Sequence, residues 1–117
     1  MESPHRRLDA WKVSMDMVTA VYAVTKDFPS EEKFGLISQM RRAAVSVPSN
    51  IAEGAADRTK DQFSYHLSVA IGSLAEIDTQ LEIARRLNFV DINNFEELAR
   101  QISRSKALIF GLKKSLK

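Results

Sequence analysis

The sequence predicts an all-α domain, an antiparallel four-helix bundle running up-down-up-down. Three observations lead there. Apolar residues recur at alternating spacings of three and four through four separate segments, the period of one helix face. Punctuation is sparse, with four glycines and three prolines in 117 residues. No stretch alternates apolar and polar residues as a half-buried strand does, and no internal repeat is visible.

The first helix is expected from Leu8 to Asp27, stopping before Phe28-Pro29. Leu8, Trp11, Met15, Val18 and Tyr22 form its main face. After Pro29, Ser30 is placed to cap a second helix from Glu31 to Gly54, with Glu31 and Glu32 suiting the positive end of its dipole. Its stripe is Ile37, Met40, Ala44, Val47 and Ile51. Thr59-Lys-Asp-Gln62 has the T-x-x-Q capping form, so a third helix spans Lys60 to Leu87. Phe63, Leu67, Ala70, Leu74, Ile77, Leu81 and Ala84 make its seam, and Asn88 ends it. Asp91 or Asn93 caps a fourth helix, from Ile92 to Ser115, whose seam is Phe95, Leu98, Ile102, Ile109, Leu112 and Leu116. Short connections between such helices imply antiparallel neighbours. Residues 1–7 are left as an arm before a single domain over 8–117.

There is more apolar surface than one bundle needs. The first helix carries a second line, Ala10, Val13, Met17, Val21, Val24 and Phe28, beside the first. Tyr65, Ile71 and Ile83 lie off the seam of the third. A core-facing helix needs about three apolar positions in seven. The excess in the first helix points to a second face buried against another copy of the chain.

Composition excludes several function classes. There is no cysteine, hence no disulfide, thiolate metal site or cysteine nucleophile. The opening MESPHRRLDAWK has no apolar core of a signal peptide, and no stretch has the roughly 18 apolar residues of a membrane span. A soluble cytoplasmic protein with no membrane partner is expected. Gly-rich phosphate loops and H-E-x-x-H are absent. The single E-x-x-H, Glu2-Ser-Pro-His5, precedes the first helix and contains a proline, so it does not fit a di-iron bundle. Arg58 and His66 are separated by seven residues, where small helical ribonucleases with an arginine–histidine pair use four to six. His66 is expected at the bundle edge. The protein is not expected to be an enzyme, and no cofactor or metal site is expected.

Ser46-Val-Pro-Ser-Asn50 interrupts the second helix with polar residues and a proline. Pro48 removes the bond to the Ala44 carbonyl. Yet Ala44, Val47 and Ile51 keep their register, so a kinked helix is expected, not a loop. Gln39, Arg42, Ser46, Asn50 and Glu53 step by three, four, four and three along one polar stripe. Gly72, costly in mid-helix, aligns with Ser68, Glu76 and Thr79 on the third helix. We read Gln39, Arg42, Ser46, Asn50, Glu53, Gly72 and Glu76 as a structural polar seam that lets helices approach and cross-link. A small-ligand site around Asn50, Glu53 and Glu76 is a further reading.

Leu8-x-x-Trp11, Phe28-Pro29-x-Glu31, the run from Gly35-Leu36 through Gln39-Met-Arg-Arg-Ala-Ala-Val-Ser-Val-Pro-Ser-Asn-Ile-Ala-Glu-Gly54, and Ala70-Ile-Gly-Ser-Leu-x-Glu76 together resemble the 23S ribosomal-RNA intervening-sequence protein family. The resemblance runs from Leu8 to Ser115. It implies a four-helix bundle assembling as a ring-shaped homopentamer. The family name records a gene position, an insertion in ribosomal RNA genes. A related branch, the accessory proteins of diversity-generating retroelements, forms basic pentameric barrels that bind nucleic acid and a reverse transcriptase.

Arg100, Arg104, Lys106, Lys113, Lys114 and Lys117 fall in the last 18 residues, with no acidic residue among them. Such a basic end suits a polyanion, and it also offsets a helix dipole. The formal charge of one chain is +2, so five copies at +2 each carry +10. Affinity for a polyanion grows with the phosphates neutralised. The expected role is a non-enzymatic homo-oligomer that binds RNA or DNA weakly and without sequence preference. Its contacts are Arg85, Arg86, Arg100, Arg104, Lys106, Lys113 and Lys114, while Arg41 and Arg42 serve assembly. No aromatic residues interleave with these cations along the chain, which argues against stacking on single-stranded bases. The alternative is a scaffold that presents a groove to another protein.

Overall fold

The computed structural model describes all residues except Met1 and Arg58. Four helices follow in the predicted order: α1 Asp9–Thr25, α2 Leu36–Ala56, α3 Lys60–Arg86 and α4 Ile92–Ser115. Among the described residues there is no strand. Each helix packs on two others: α1 on α2 and α4, α3 on α2 and α4, with α2 against α3 the most extensive pairing. The domain measures 43 × 24 × 23 Å, its long axis matching the roughly 40 Å expected of the 27-residue α3.

The helix ends follow local chemistry. Thr59 caps α3 by accepting the Gln62 N–H at 3.1 Å, and its hydroxyl donates to Gln62 Oε1 at 3.0 Å. Asp91, not Asn93, caps α4, its Oδ1 accepting the Asn94 N–H at 2.8 Å. After α3, Asn88 adopts φ 61°, the left-handed conformation that asparagine tolerates. Phe89 N–H then donates to the Ala84 carbonyl at 2.9 Å and Asn88 N–H to that of Arg85 at 3.0 Å, a Schellman closure. It turns Phe89 onto the buried Phe28, with ring centroids 5.5 Å apart.

The second helix starts later than expected. Ser30–Glu32 is a single 3-10 turn, and α2 begins at Leu36 with Gly35 as its N-cap and Glu32 Oε1 accepting the Leu36 N–H at 3.2 Å. The intervening Phe34 is 89% exposed, so residues 31–35 have no apolar face to bury and gain little from extending the helix. From Leu36 the helix runs without a break through the buried Pro48 to Ala56. Within the stretch before α1, Pro4–Arg7 forms a 3-10 turn against α2, with the His5 ring 5.0 Å from that of Trp11.

The core corrects the reading of α1. Ala10, Met17, Val21 and Phe28, from the supposed second line, are buried, whereas Met15 and Tyr22 of the supposed main face are exposed. Periodicity could not separate the two lines because Ser14 and Thr25 complete the buried one. Their hydroxyls donate to backbone carbonyls, Ser14 to Trp11 at 2.9 Å and Thr25 to Val21 at 2.7 Å, so both enter the core satisfied. Met40, Ala44, Val47 and Ile51 of α2 are buried as expected, as is the α3 seam apart from half-buried Phe63. In α4 the fully buried Ser105 fills the step between Ile102 and Ile109.

Gly54 does not end α2, which continues two residues further. It permits a close crossing: a Cβ there would lie 2.7 Å from Phe63 Cδ1 and 2.9 Å from His66 Cβ. Gly54→Ala is therefore expected to destabilise the fold by about 1–3 kcal/mol through overpacking. Thermal unfolding should register this as a Tm lower by roughly 5–15 °C. An unchanged Tm would mean that α3 yields at the crossing without cost.

Candidate functional site

Three surfaces carry the residues singled out in the sequence. The first is the polar seam where α2 meets α3. Ser46 stands at its centre: Ser73 Oγ donates to Ser46 Oγ at 2.9 Å, and Asn50 Nδ2 donates to the same oxygen at 3.1 Å and to the Ser46 carbonyl at 2.9 Å. The carbonyl that Pro48 leaves free is that of Ala44, so Asn50 serves a different one. Asn50 Oδ1 lies 3.1 Å from His66 Nδ1, whose other ring nitrogen faces Asp57 Oδ2 at 3.2 Å. Glu53 is 3.7 Å from His66 Nδ1. His66 thus ties the end of α2 to the start of α3, at the bundle edge where it was expected. Arg58, whose spacing from His66 spoke against a catalytic pair, lies outside the described residues.

The seam separates into two parts. Asn50 and Glu53 face His66, whereas Gln39, Arg42, Ser46 and Glu76 line a cleft with Ser73 and Gln80. A ligand site shared by Asn50, Glu53 and Glu76 therefore does not form as one unit. Gly72 is exposed, and nothing lies within 4 Å of where its Cβ would be, so packing within the chain does not require glycine there. Sequence reasoning missed Ser73 and Gln80. With Glu76 they step by three and four, a spacing that could have flagged them.

The second surface is basic. Of the seven proposed contacts, three are engaged by acids. Arg85 and Arg86 both donate to Glu82, Arg85 Nε at 3.0 Å and Arg86 Nε at 2.8 Å, and Arg100 pairs with Glu97. Hydrogen bonds from Arg85 and then Arg86 hold the Glu82 carboxyl down to about 2. The same bond raises Arg85 above its usual value. Arg104, Lys106, Lys113 and Lys114 form no ion pair among the described residues. The seven do not form one patch, since Arg100 and Lys114 are about 21 Å apart along α4.

One aromatic does join the cations. Phe110, 47% exposed, sits at helical steps of four, three and four with Lys106, Lys113 and Lys117. A cleft of about 460 Å³ is lined by Phe110, Gly111, Lys113, Lys114 and Lys117. The expectation that no aromatic interleaves with the basic residues is corrected here. The signal was the spacing along α4, obscured because the linear order sets apolar core residues between them.

The third surface is apolar and lies between α1 and α2. Trp11, Met15, Val18, Val45, Pro48 and Ala52 line one hollow of about 270 Å³. Val45 is shared with a larger groove that includes Tyr22, Phe34 and Ile37, so the face continues along both helices. Its cations are Lys33, Arg41 and Arg42, and among the described residues no acid lines it. Arg41 is held in place: its Nε donates to Thr25 Oγ1 at 3.0 Å and its guanidinium lies 4.5 Å over the Tyr22 ring.

Among the described residues no three histidine, aspartate or glutamate side chains converge as a metal site, and no helix is long and apolar enough to cross a membrane. The chain folds as a four-helix, all-α domain. The chain matches the family of 23S rRNA-intervening sequence proteins over residues 6–111 and belongs to it. It is similar in structure to a protein of unknown function from the S23 ribosomal protein family of Bacteroides thetaiotaomicron VPI-5482. That likeness has a TM-score of 0.83 at 20% identity, over 90% of this chain and 95% of the other. No curated protein matches the chain.

Proposed function

We propose that the protein is a non-enzymatic, cytoplasmic homo-oligomer that holds structured RNA or DNA by its phosphates and does not read base sequence. In this reading five up-down-up-down bundles form a ring. The short connections, residues 57–59 between α2 and α3 and 87–91 between α3 and α4, fit that helix order. The observation that carries polyanion binding is the end of α4, where Lys113, Lys114 and Lys117 gather around Phe110 with no acidic partner among the described residues. Repetition of that cluster in one particle multiplies phosphate contacts. Structured RNA and duplex DNA are both probes to use, since the family's description names a gene position and not a ligand.

Glu82 supplies a test. It occupies Arg85 and Arg86, so Glu82→Gln releases two cations for phosphate. Affinity for structured RNA is expected to rise severalfold, and the slope of log affinity against log salt to steepen by about one to two. Unchanged affinity and slope would remove both arginines from the contact set.

A second reading is favoured by the apolar α1–α2 face. There the bundle is a scaffold that offers this groove to another protein, and the lysines only maintain solubility.

A further inference from the structure

We infer that the groove between α2 and α3 is a binding site for a small zwitterion of the amino-acid type. The inference does not rest on polyanion binding, in which the lysines of α4 act and this groove takes no part. The cleft is open to solvent and has a volume of about 340 Å³, within the range of small-ligand sites. Gln39, Arg42 and Ser46 come from α2 at steps of three and four, and Ser73, Glu76 and Gln80 from α3 at the same steps, so two matched rows face each other.

Three features of these rows are unspent. Gln80 is only 9% exposed, and its Oε1 is enclosed with no hydrogen-bond partner among the described residues. Turning the amide over would only exchange which atom is enclosed, and a buried amide left unpaired is costly. Ser46 Oγ already accepts from Asn50 and Ser73, which leaves one hydroxyl proton of the serine pair without an acceptor. Finally, Arg42 and Glu76 form no ion pair among the described residues, one charge of each sign at the same cleft.

That inventory selects the ligand. A phosphate or another simple anion would suit Arg42 but face Glu76. A simple cation would suit Glu76 but face Arg42. A molecule with an ammonium and a carboxylate a few ångströms apart satisfies both. Its ammonium donates to the Glu76 carboxylate and, once the Gln80 side chain turns its enclosed amide into the cleft, to Gln80 Oε1. Its carboxylate accepts from the Arg42 guanidinium and from the free serine hydroxyl. No covalent step is involved.

The test is calorimetric titration of the intact protein with the twenty free amino acids, then with the N-acetyl and the carboxamide derivative of any that bind. At least one free amino acid is expected to bind below the millimolar range, with each blocked derivative at least about tenfold weaker. Gln80→Leu is expected to weaken binding by about tenfold or more while Tm does not fall, since it also removes the unpaired amide. Glu76→Gln is a second variant, on an exposed side chain, and is expected to weaken the ammonium end in the same way. The inference is overturned if no free amino acid binds at concentrations on the order of 10 mM. Equal binding of the blocked derivatives, or unchanged affinity in both variants, would overturn it too. A change of particle mass in Gln80→Leu would also overturn it, by assigning the groove to contact between copies.

Discussion

If copies of the chain meet through the α1–α2 face in the proposed assembly, Met15→Glu is expected to convert it into a folded monomer of 13.2 kDa and Val45→Glu to weaken it. Both side chains line the hollow beside Trp11 and Pro48, and they are 38% and 42% exposed in the isolated chain. Neither belongs to the core, so helix content and cooperative unfolding of the bundle should persist. At Met15 the buried carboxylate meets no cation among the residues lining the hollow and costs several kcal/mol, enough to lower association by about three orders of magnitude. At Val45 it stands four and three residues after Arg41 and Arg42 and is partly compensated. Arg41 and Arg42 line the neighbouring groove, which makes lysine at either position a useful comparison. Repulsion from those cations should make lysine at 45 more disruptive to assembly than glutamate there. Sedimentation of both variants at micromolar concentration would check this. Particles of unchanged mass would clear the α1–α2 face of any part in assembly.

The second large effect concerns α4. Alanine at Lys106, Lys113, Lys114 and Lys117 together should lower affinity for structured RNA and duplex DNA by about tenfold or more, about equally for every sequence tried. The salt dependence should flatten by about 0.9 for each phosphate that the variant no longer neutralises. These side chains are exposed or half-buried on the last turns of a helix whose core face is Ile102, Ser105 and Ile109, so the fold should be retained. A weakening confined to one sequence would point to base readout and contradict the phosphate account. Phe110→Ala alone separates the contributions. Weaker binding of single strands but not of duplexes would show stacking, whereas a small uniform decrease would show only that the aromatic shapes the cleft.

Much of the scaffold was legible because its signals are local. Thr59 and Asp91 announce their helices by side chains that reach the N–H three residues on, and Asn88 closes α3 by adopting a conformation asparagine tolerates. The α3 seam was readable because it recurs without a gap at steps of three and four, with polar neighbours around members such as Ile77 and Leu81. The less legible parts depend on contacts between distant segments. Ser14, Thr25 and Ser105 look like surface residues until their helices have partners, and the first two then satisfy their hydroxyls on their own helix. Gly54 has the composition of a helix stop, and only the approach of Phe63 and His66 shows that it is a crossing point.

The candidate site divides in the same way. The polar stripe of α2 was visible from spacing alone. Its division between His66 and the Gln80 cleft reflects how α3 is registered against α2, which no single-helix pattern encodes. The basic run of α4 was equally plain, but the engagement of the two α3 arginines by an acid was not. Glu82 lies on α3 three and four residues before Arg85 and Arg86, and whether such neighbours pair is decided by rotamers. Phe110 was counted with neither group because it lies off the core seam and between lysines.

The most direct test of the central claim is binding of labelled structured RNA and duplex DNA by purified, nucleic-acid-free protein at low and near-physiological salt. The phosphate-binding assembly predicts similar affinities across sequences, falling steeply as salt rises. No binding even at low salt would contradict it and leave the apolar α1–α2 face, with a protein partner, as the functional surface.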